Sequence, residues 1–241
     1  MTSTHDRPHR PALSRPVVES NGIFFWCFGN AVRVRFTFFL VGLLAAGRRS
    51  ITEVLVWEAV VFAAVLIHEL GHAQAARSYG ADPRIELYTM GGHTSWAWRR
   101  PPTLGQQLVT SLAGPCAGFV TGGLMFLARL APGASEWPYL SRLAIADFLW
   151  VSLGWGLFNL FPMLPLDGGS SMEAILQARL GVARGRRAAR VVSCSVGALG
   201  VILGLASGYT WAAMLCALFA YNNFVSLRAL EQKAEGSGES P

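Results

Sequence analysis

Two histidines and a glutamate share one turn of the run AVLIHELGHAQAA, Ala64 to Ala76. His68 and His72 are four residues apart, so on a helix both imidazoles project from one face within reach of a single ion. Glu69, beside the first histidine, is placed to take up and return a proton. This is the HExxH arrangement, in which two imidazoles hold zinc and the glutamate handles the proton of an activated water. The chemistry it serves is metal-assisted hydrolysis. A pair of core histidines satisfied by their neighbours is the plainer alternative, but it suits the setting poorly. The rest of the run is a helix made for hydrocarbon, where a charged side chain costs about 2.5–3.5 kcal/mol at the bilayer centre. A metal supplies the partner that such a cluster needs.

A catalytic zinc usually takes three protein ligands and keeps a fourth position for water. Of the five histidines, His5 and His9 lie in the polar N-terminal segment and His68 and His72 are already used. The third ligand is therefore His93 or a carboxylate. Asp167 is the best carboxylate, because in NLFPMLPLDGG two prolines and two glycines fix an irregular backbone just past an apolar run. Non-helical backbone at membrane depth is tolerated only where it is buried in protein or lines a watery cavity. An ordinary aspartate turn at a helix end is the alternative.

The elements that must carry these residues are membrane helices. The chain has 241 residues, 52% of them hydrophobic and only 14% charged, against roughly 25% charged in an average soluble protein. Apolar runs at about 36–46, 54–75, 104–130, 140–161, 188–207 and 209–230 predict six transmembrane helices, the first of them short for a span. Ile23–Arg35 alternates around Gly29-Asn30 and predicts an interfacial β-hairpin. Pro83–Trp98, with strand-forming residues on both sides of Gly91-Gly92, predicts a second hairpin or re-entrant loop. Ser170–Leu180 reads as a short amphipathic helix. The expected fold is an all-α polytopic membrane protein with small β elements around a membrane-embedded zinc site. Residues 1–20 are expected as a disordered tail, 21–230 as one membrane domain and 231–241 as a polar tail.

The net charge of +6 does not point to nucleic acid, because the arginines sit between hydrophobic segments. With the N-terminus in the cytoplasm, sixteen basic residues fall inside and four (Arg48, Arg49, Arg129, Arg142) outside. The positive-inside rule thus predicts a multi-pass cell-membrane protein with both termini and the active-site opening cytoplasmic. On this topology helices two and four both run toward the cytoplasm, which brings HELGH and Asp167 to the same membrane face. Four cysteines, Cys27, Cys116, Cys194 and Cys216, stand singly in apolar stretches and read as buried filler. No role follows from the sequence for Glu58 in the outer half of the second helix.

In its motifs the chain resembles the site-2 protease family of intramembrane zinc metalloproteases. The resemblance covers most of Ile23 to Leu180 and rests on HELGH at 68–72, the pair Gly91-Gly92, SLAGPCAG at 111–118, and Asn159 eight residues before Asp167 in N-x-x-P-x-x-P-L-D-G. It implies His68, His72 and Asp167 as the ligands of one zinc per chain and Glu69 as the acid and base. It also implies Asn159 as a polar group near the reacting carbonyl. The PDZ-like insertion and the C-terminal regulatory domain found in some relatives are not seen here.

A helical substrate hides its carbonyls in intrahelical bonds, so cleavage requires local unwinding. Strand-like Arg84–Met90 is expected to pair with the unwound chain, which makes Ile85, Leu87, Gly91 and Gly92 the expected substrate-binding residues. The expected partners are a transmembrane protein substrate and the lipid bilayer, with a regulatory membrane partner or a homo-oligomer compatible with both. A non-proteolytic zinc transporter or sensor is the competing function, and an inactive membrane scaffold a third. Only the protease needs Glu69 specifically.

Overall fold

The computed structural model describes residues 17–45, 47, 49–89 and 91–237. Arg7, Arg10, Arg15, Arg48 and Met90, and with them most of the expected N-terminal tail, lie outside the described residues. The chain divides into two compact units, one formed by residues 1–101 and 117–152 and the other by 102–116 and 153–241. Among the described residues, five helices are long and apolar enough to cross a membrane, at Ile51–Ser78, Leu104–Arg129, Tyr139–Asn159, Val182–Ala206 and Thr210–Gln232. The first of the six apolar runs instead folds as α1, Phe38–Ala45. Eight residues rise only about 12 Å, well short of a bilayer core of about 30 Å.

In the first unit, strands β1 (Val17–Glu19), β2 (Gly22–Cys27) and β3 (Asn30–Arg35) precede α1, and β4 (Arg84–Tyr88) and β5 (Gly91–Ser95) follow α2 (Ile51–Ser78). The two expected hairpins are joined into a single sheet of order β1-β2-β3-β4-β5, in which β3 and β4 pair in parallel. Parallel neighbours need a crossover connection, and α1 with α2 provides it. Val17–Glu19, expected in a disordered tail, pairs with β2 through Val17↔Phe24 and Val18↔Ile23.

Two-residue alternation turns Val32, Val34, Ile85 and Leu87 to one face of the sheet. All four are buried and pack with Cys27, Phe38 and Ala73, backed by Leu66 and Leu70 of α2. Each such side chain contributes about 1.5–3 kcal/mol. This corrects the substrate-binding expectation for Ile85 and Leu87. β4 is an inner strand with neighbours on both sides, and its apolar residues are core. The edge strands of the sheet are β1 and β5.

Helix α2 is fixed at both ends. Ser50 and Glu53 form a reciprocal capping box at its start. At its end, Gly80 at φ 84° lets its N–H reach Arg77 O and that of Ala81 reach Ala76 O, the αL termination that glycine permits without a Cβ penalty. The β2–β3 turn, centred on Phe28-Gly29 with both φ positive, docks onto the last turns of α2. There Gln74 and Arg77 each donate to Phe28 O at 3.2 Å. Helix α3 (Leu104–Arg129) carries Pro115 inside it. Helix α4 (Tyr139–Leu149) is tied to the start of α2. Buried Asp147 accepts two bonds from Arg49, at 2.5 and 2.7 Å, and Tyr139 donates to Glu53 at 2.5 Å. The guanidinium offsets the cost of burying the Asp147 carboxylate in an apolar helix.

A π-helical segment, Trp150–Trp155, continues α4 into the short α5 (Gly156–Asn159). The second unit then comprises α6 (Asp167–Leu180), α7 (Val182–Ala206) and α8 (Thr210–Ser237). Helix α6 starts three residues earlier than the expected amphipathic helix, with Asp167 as its first residue. Much of the expected polar tail is the end of α8, where Glu231 accepts from Arg187 at 3.0 Å.

Candidate metal centre

The HELGH turn lies in the second half of α2, on the side packed against the sheet. The i, i+4 spacing brings the Nε2 atoms of His68 and His72 to 3.1 Å. Two nitrogens bound at 2.0–2.1 Å to one tetrahedral ion stand about 3.3 Å apart, so the pair already has the bite of a zinc site. His72 and Glu69 are both buried. The residues present therefore fit a zinc ion in donor type and in spacing.

Glu69 is held from the sheet. Thr94 Oγ1 donates to its Oε2 at 2.6 Å and lies 3.2 Å from its backbone oxygen. Thr94 sits opposite Ile85 in the ladder, with Gly92 opposite Leu87, so both belong to the face turned toward α2. At Gly92 a Cβ would stand 2.5 Å from Glu69 Cγ and Oε1. Gly92 leaves the room in which the carboxylate sits, and Gly91, at φ 110°, opens the strand in a conformation other residues rarely adopt. Burial, and then the negative charges of Glu69 and Glu86, raise the pKa of the Tyr88 hydroxyl. Gly92→Ala is accordingly expected to displace the Glu69 carboxylate, and to lower at least tenfold any hydrolysis that depends on it, while zinc content is unchanged. A hydrolysis assay and metal analysis of the same preparation check this.

His93 lies on the opposite face of β5 from Gly92 and Thr94, opposite Glu86, and is exposed. His93 is thus on the sheet face away from the one that carries Thr94 to Glu69. Glu58 also stands apart, about 15 Å before His68 along the helix axis. Its carboxylate oxygens are buried without a hydrogen-bond partner among the described residues.

In the second unit, Asn159 ends α5 and Asp167 begins α6. The segment between them packs onto the first turn of α6, where a Cβ at Gly168 would strike Leu160 O and one at Gly169 the backbone of Met163. The Gly-Gly pair thus serves close approach of backbone to backbone.

Sequence reasoning missed Thr94. Alternation along β5 sets Thr94 on the face of Gly92 and away from His93, but only the register with β4 shows that this is the buried face of Ile85 and Leu87.

A zinc metalloprotease of Methanocaldococcus jannaschii is 27% identical over 203 residues, covering 82% of this chain and 57% of that protein. Relatives from Synechocystis sp. and Mycobacterium tuberculosis are 27% and 28% identical, with 48% and 42% of their lengths covered. The chain thus spans about half the length of the curated relatives it matches. Among solved structures, a site-2 protease from Methanocaldococcus jannaschii superposes with a TM-score of 0.59 at 23% identity, over 88% of this chain and 94% of that one. No family model matches.

Proposed function

We propose that this chain, which belongs to the site-2 protease family by its fold and its kinship with zinc metalloproteases, is an intramembrane zinc metalloendopeptidase. It would cut a peptide bond within or near a transmembrane segment of a membrane-bound substrate. The observation that carries this reading is the pair of His68 and His72 nitrogens 3.1 Å apart, with Glu69 oriented beside them by Thr94, on a helix able to cross a membrane. A zinc transporter or sensor needs the histidines but has no use for an oriented, buried glutamate.

His68, His72 and Asp167 would hold one zinc per chain, a set of two imidazoles and one carboxylate that suits a catalytic site. An ion held by these three residues would supply Lewis-acid polarisation of the scissile carbonyl and a more acidic bound water. Glu69 takes the proton of the attacking water and delivers it to the leaving amine, while the Thr94 hydroxyl keeps its carboxylate aimed. Asn159 donates to the developing charge on the carbonyl oxygen. The free edge of β5 receives the unwound substrate as an added strand, with Gly91 and Gly92 offering backbone unobstructed by side chains.

The test is cleavage of single-span substrates reconstituted with the chain in liposomes, with fragments identified by mass spectrometry. Gly, Pro or Asn near the scissile bond is expected to raise the rate several-fold over Leu at the same positions, because an intact helix shields its carbonyls. Equal rates for the two substrate series would count against unwinding as the determinant of specificity, and absence of any fragment with zinc present would count against proteolysis.

The active site is proposed to open to the cytoplasm. Reporters fused after Arg77 and after Arg187 are expected to read cytoplasmic, and one after Gly133 external. The reverse pattern overturns this orientation.

A further inference from the structure

Between Leu160 and Leu166 the chain leaves regular secondary structure, yet every backbone N–H in the segment is placed. Those of Leu160, Phe161, Met163 and Leu166 bond to Leu157 O, Phe158 O, Phe161 O and Met163 O, all within the segment or the turn before it. Pro162 and Pro165 have none to place. Leu164 is bonded from elsewhere, at both of its backbone groups. Its N–H donates to Ser193 Oγ of α7 at 3.0 Å, and its carbonyl accepts from Asn223 Nδ2 of α8 at 2.6 Å.

The side chains that grip Leu164 are themselves fixed. Asn223 is 1% exposed and Ser193 fully buried. The second Nδ2 hydrogen of Asn223 goes to Phe219 O at 2.8 Å, and its Oδ1 accepts from Arg190 at 2.9 Å. A flipped amide would put its hydrogens against the guanidinium and its oxygen against two carbonyls, so one orientation is selected. Ser193 Oγ donates to Ala189 O at 2.8 Å, which leaves its lone pair for Leu164. Arg190 and Ser193 are three residues apart on α7 and share a face.

Helices that merely cohere in a bilayer bond to one another, whereas these polar groups reach past the helix pair to the backbone of one loop residue. From Leu164 the path to Asp167 is short and stiff. Leu166 N–H bonds to Met163 O and Ser170 N–H to Leu166 O, both at 2.9 Å, and Gly169 lies tight against Met163. We propose that Asn223, Ser193 and Arg190 are positioning residues for the metal centre, fixing Leu164 and through it the carboxylate of Asp167. This rests on the reading of Asp167 as the third ligand.

The experiment uses the full chain purified in detergent. Zinc affinity is measured by competition with a chromophoric chelator, and ligand geometry by the visible bands of the cobalt-substituted protein. Asn223→Asp keeps the side chain's size and its acceptance from Arg190 but removes both donations, and Ser193→Ala removes the hydroxyl with little loss of volume. Each is expected to weaken zinc binding about 10–100-fold and to shift the cobalt bands, a change that loss of helix cohesion alone would not produce. Asp167→Asn is measured alongside. If it binds zinc as tightly as the parent, the ligand reading fails and takes this inference with it. If it weakens binding while Asn223→Asp and Ser193→Ala stay within about twofold of the parent with unchanged cobalt bands, the positioning role alone is overturned. Should Asn223→Asp fail to fold, Ser193→Ala decides by the same criteria.

Discussion

Glu69→Gln is expected to leave zinc bound and to lower cleavage by about 10²–10⁴-fold, the usual contribution of a positioned acid or base. The glutamine carbonyl can still accept from Thr94 Oγ1, which now bonds Glu69 Oε2 at 2.6 Å, so the side chain stays in place. What is lost is the capacity to take a proton from water and give it to the leaving amine. Glu69 is not one of the proposed ligands, so metal content should match the parent. Elemental analysis and cleavage of a liposome-reconstituted transmembrane substrate, on one preparation, separate the two properties. A variant that cuts at the parental rate removes Glu69 from the chemistry, and one that loses zinc makes it a ligand.

The second large effect is on metal content. His68→Ala or His72→Ala removes one arm of a pair whose nitrogens lie 3.1 Å apart, leaving too few ligands for the catalytic set of three. Zinc should fall from about one per chain to a small fraction of that, and proteolysis should fall in step. Helix content should hold, since α2 depends on its capping box, its glycine end and its packing on the sheet, none of which uses the imidazoles. Full occupancy in both single variants would mean that the ion, if any, binds elsewhere.

What was legible in the sequence was what local spacing controls. His68, Glu69 and His72 fall within one helical turn, so the motif states its own geometry. The membrane helices announce themselves by length and apolarity because the bilayer imposes both. Non-local pairing was not legible. Nothing near β3 signals that it will lie parallel to β4 across a crossover, so two separate hairpins were expected where one sheet exists. The same blindness misassigned Ile85 and Leu87. Alternation identifies them as sharing a face, but only the neighbour on each side of β4 shows that the face is core. Thr94 was missed because its value depends on Glu69, twenty-five residues away in sequence. Asp167 was singled out from its prolines and glycines, yet its place as the first residue of α6 depends on packing of the preceding segment at Gly168 and Gly169, which composition does not reveal.

The parallel junction of β3 with β4 also dictates an order of manufacture. Synthesis completes β3 before α2, whereas β4 and β5 emerge after it, so the sheet closes only once the HELGH helix has been made. Thr94 is part of that late arrival. A half-made chain therefore has the histidines and the glutamate in one helical turn but no hydroxyl to aim the carboxylate. The Glu69 carboxylate is in this way left without its Thr94 partner until the last strand of the sheet has been made and paired.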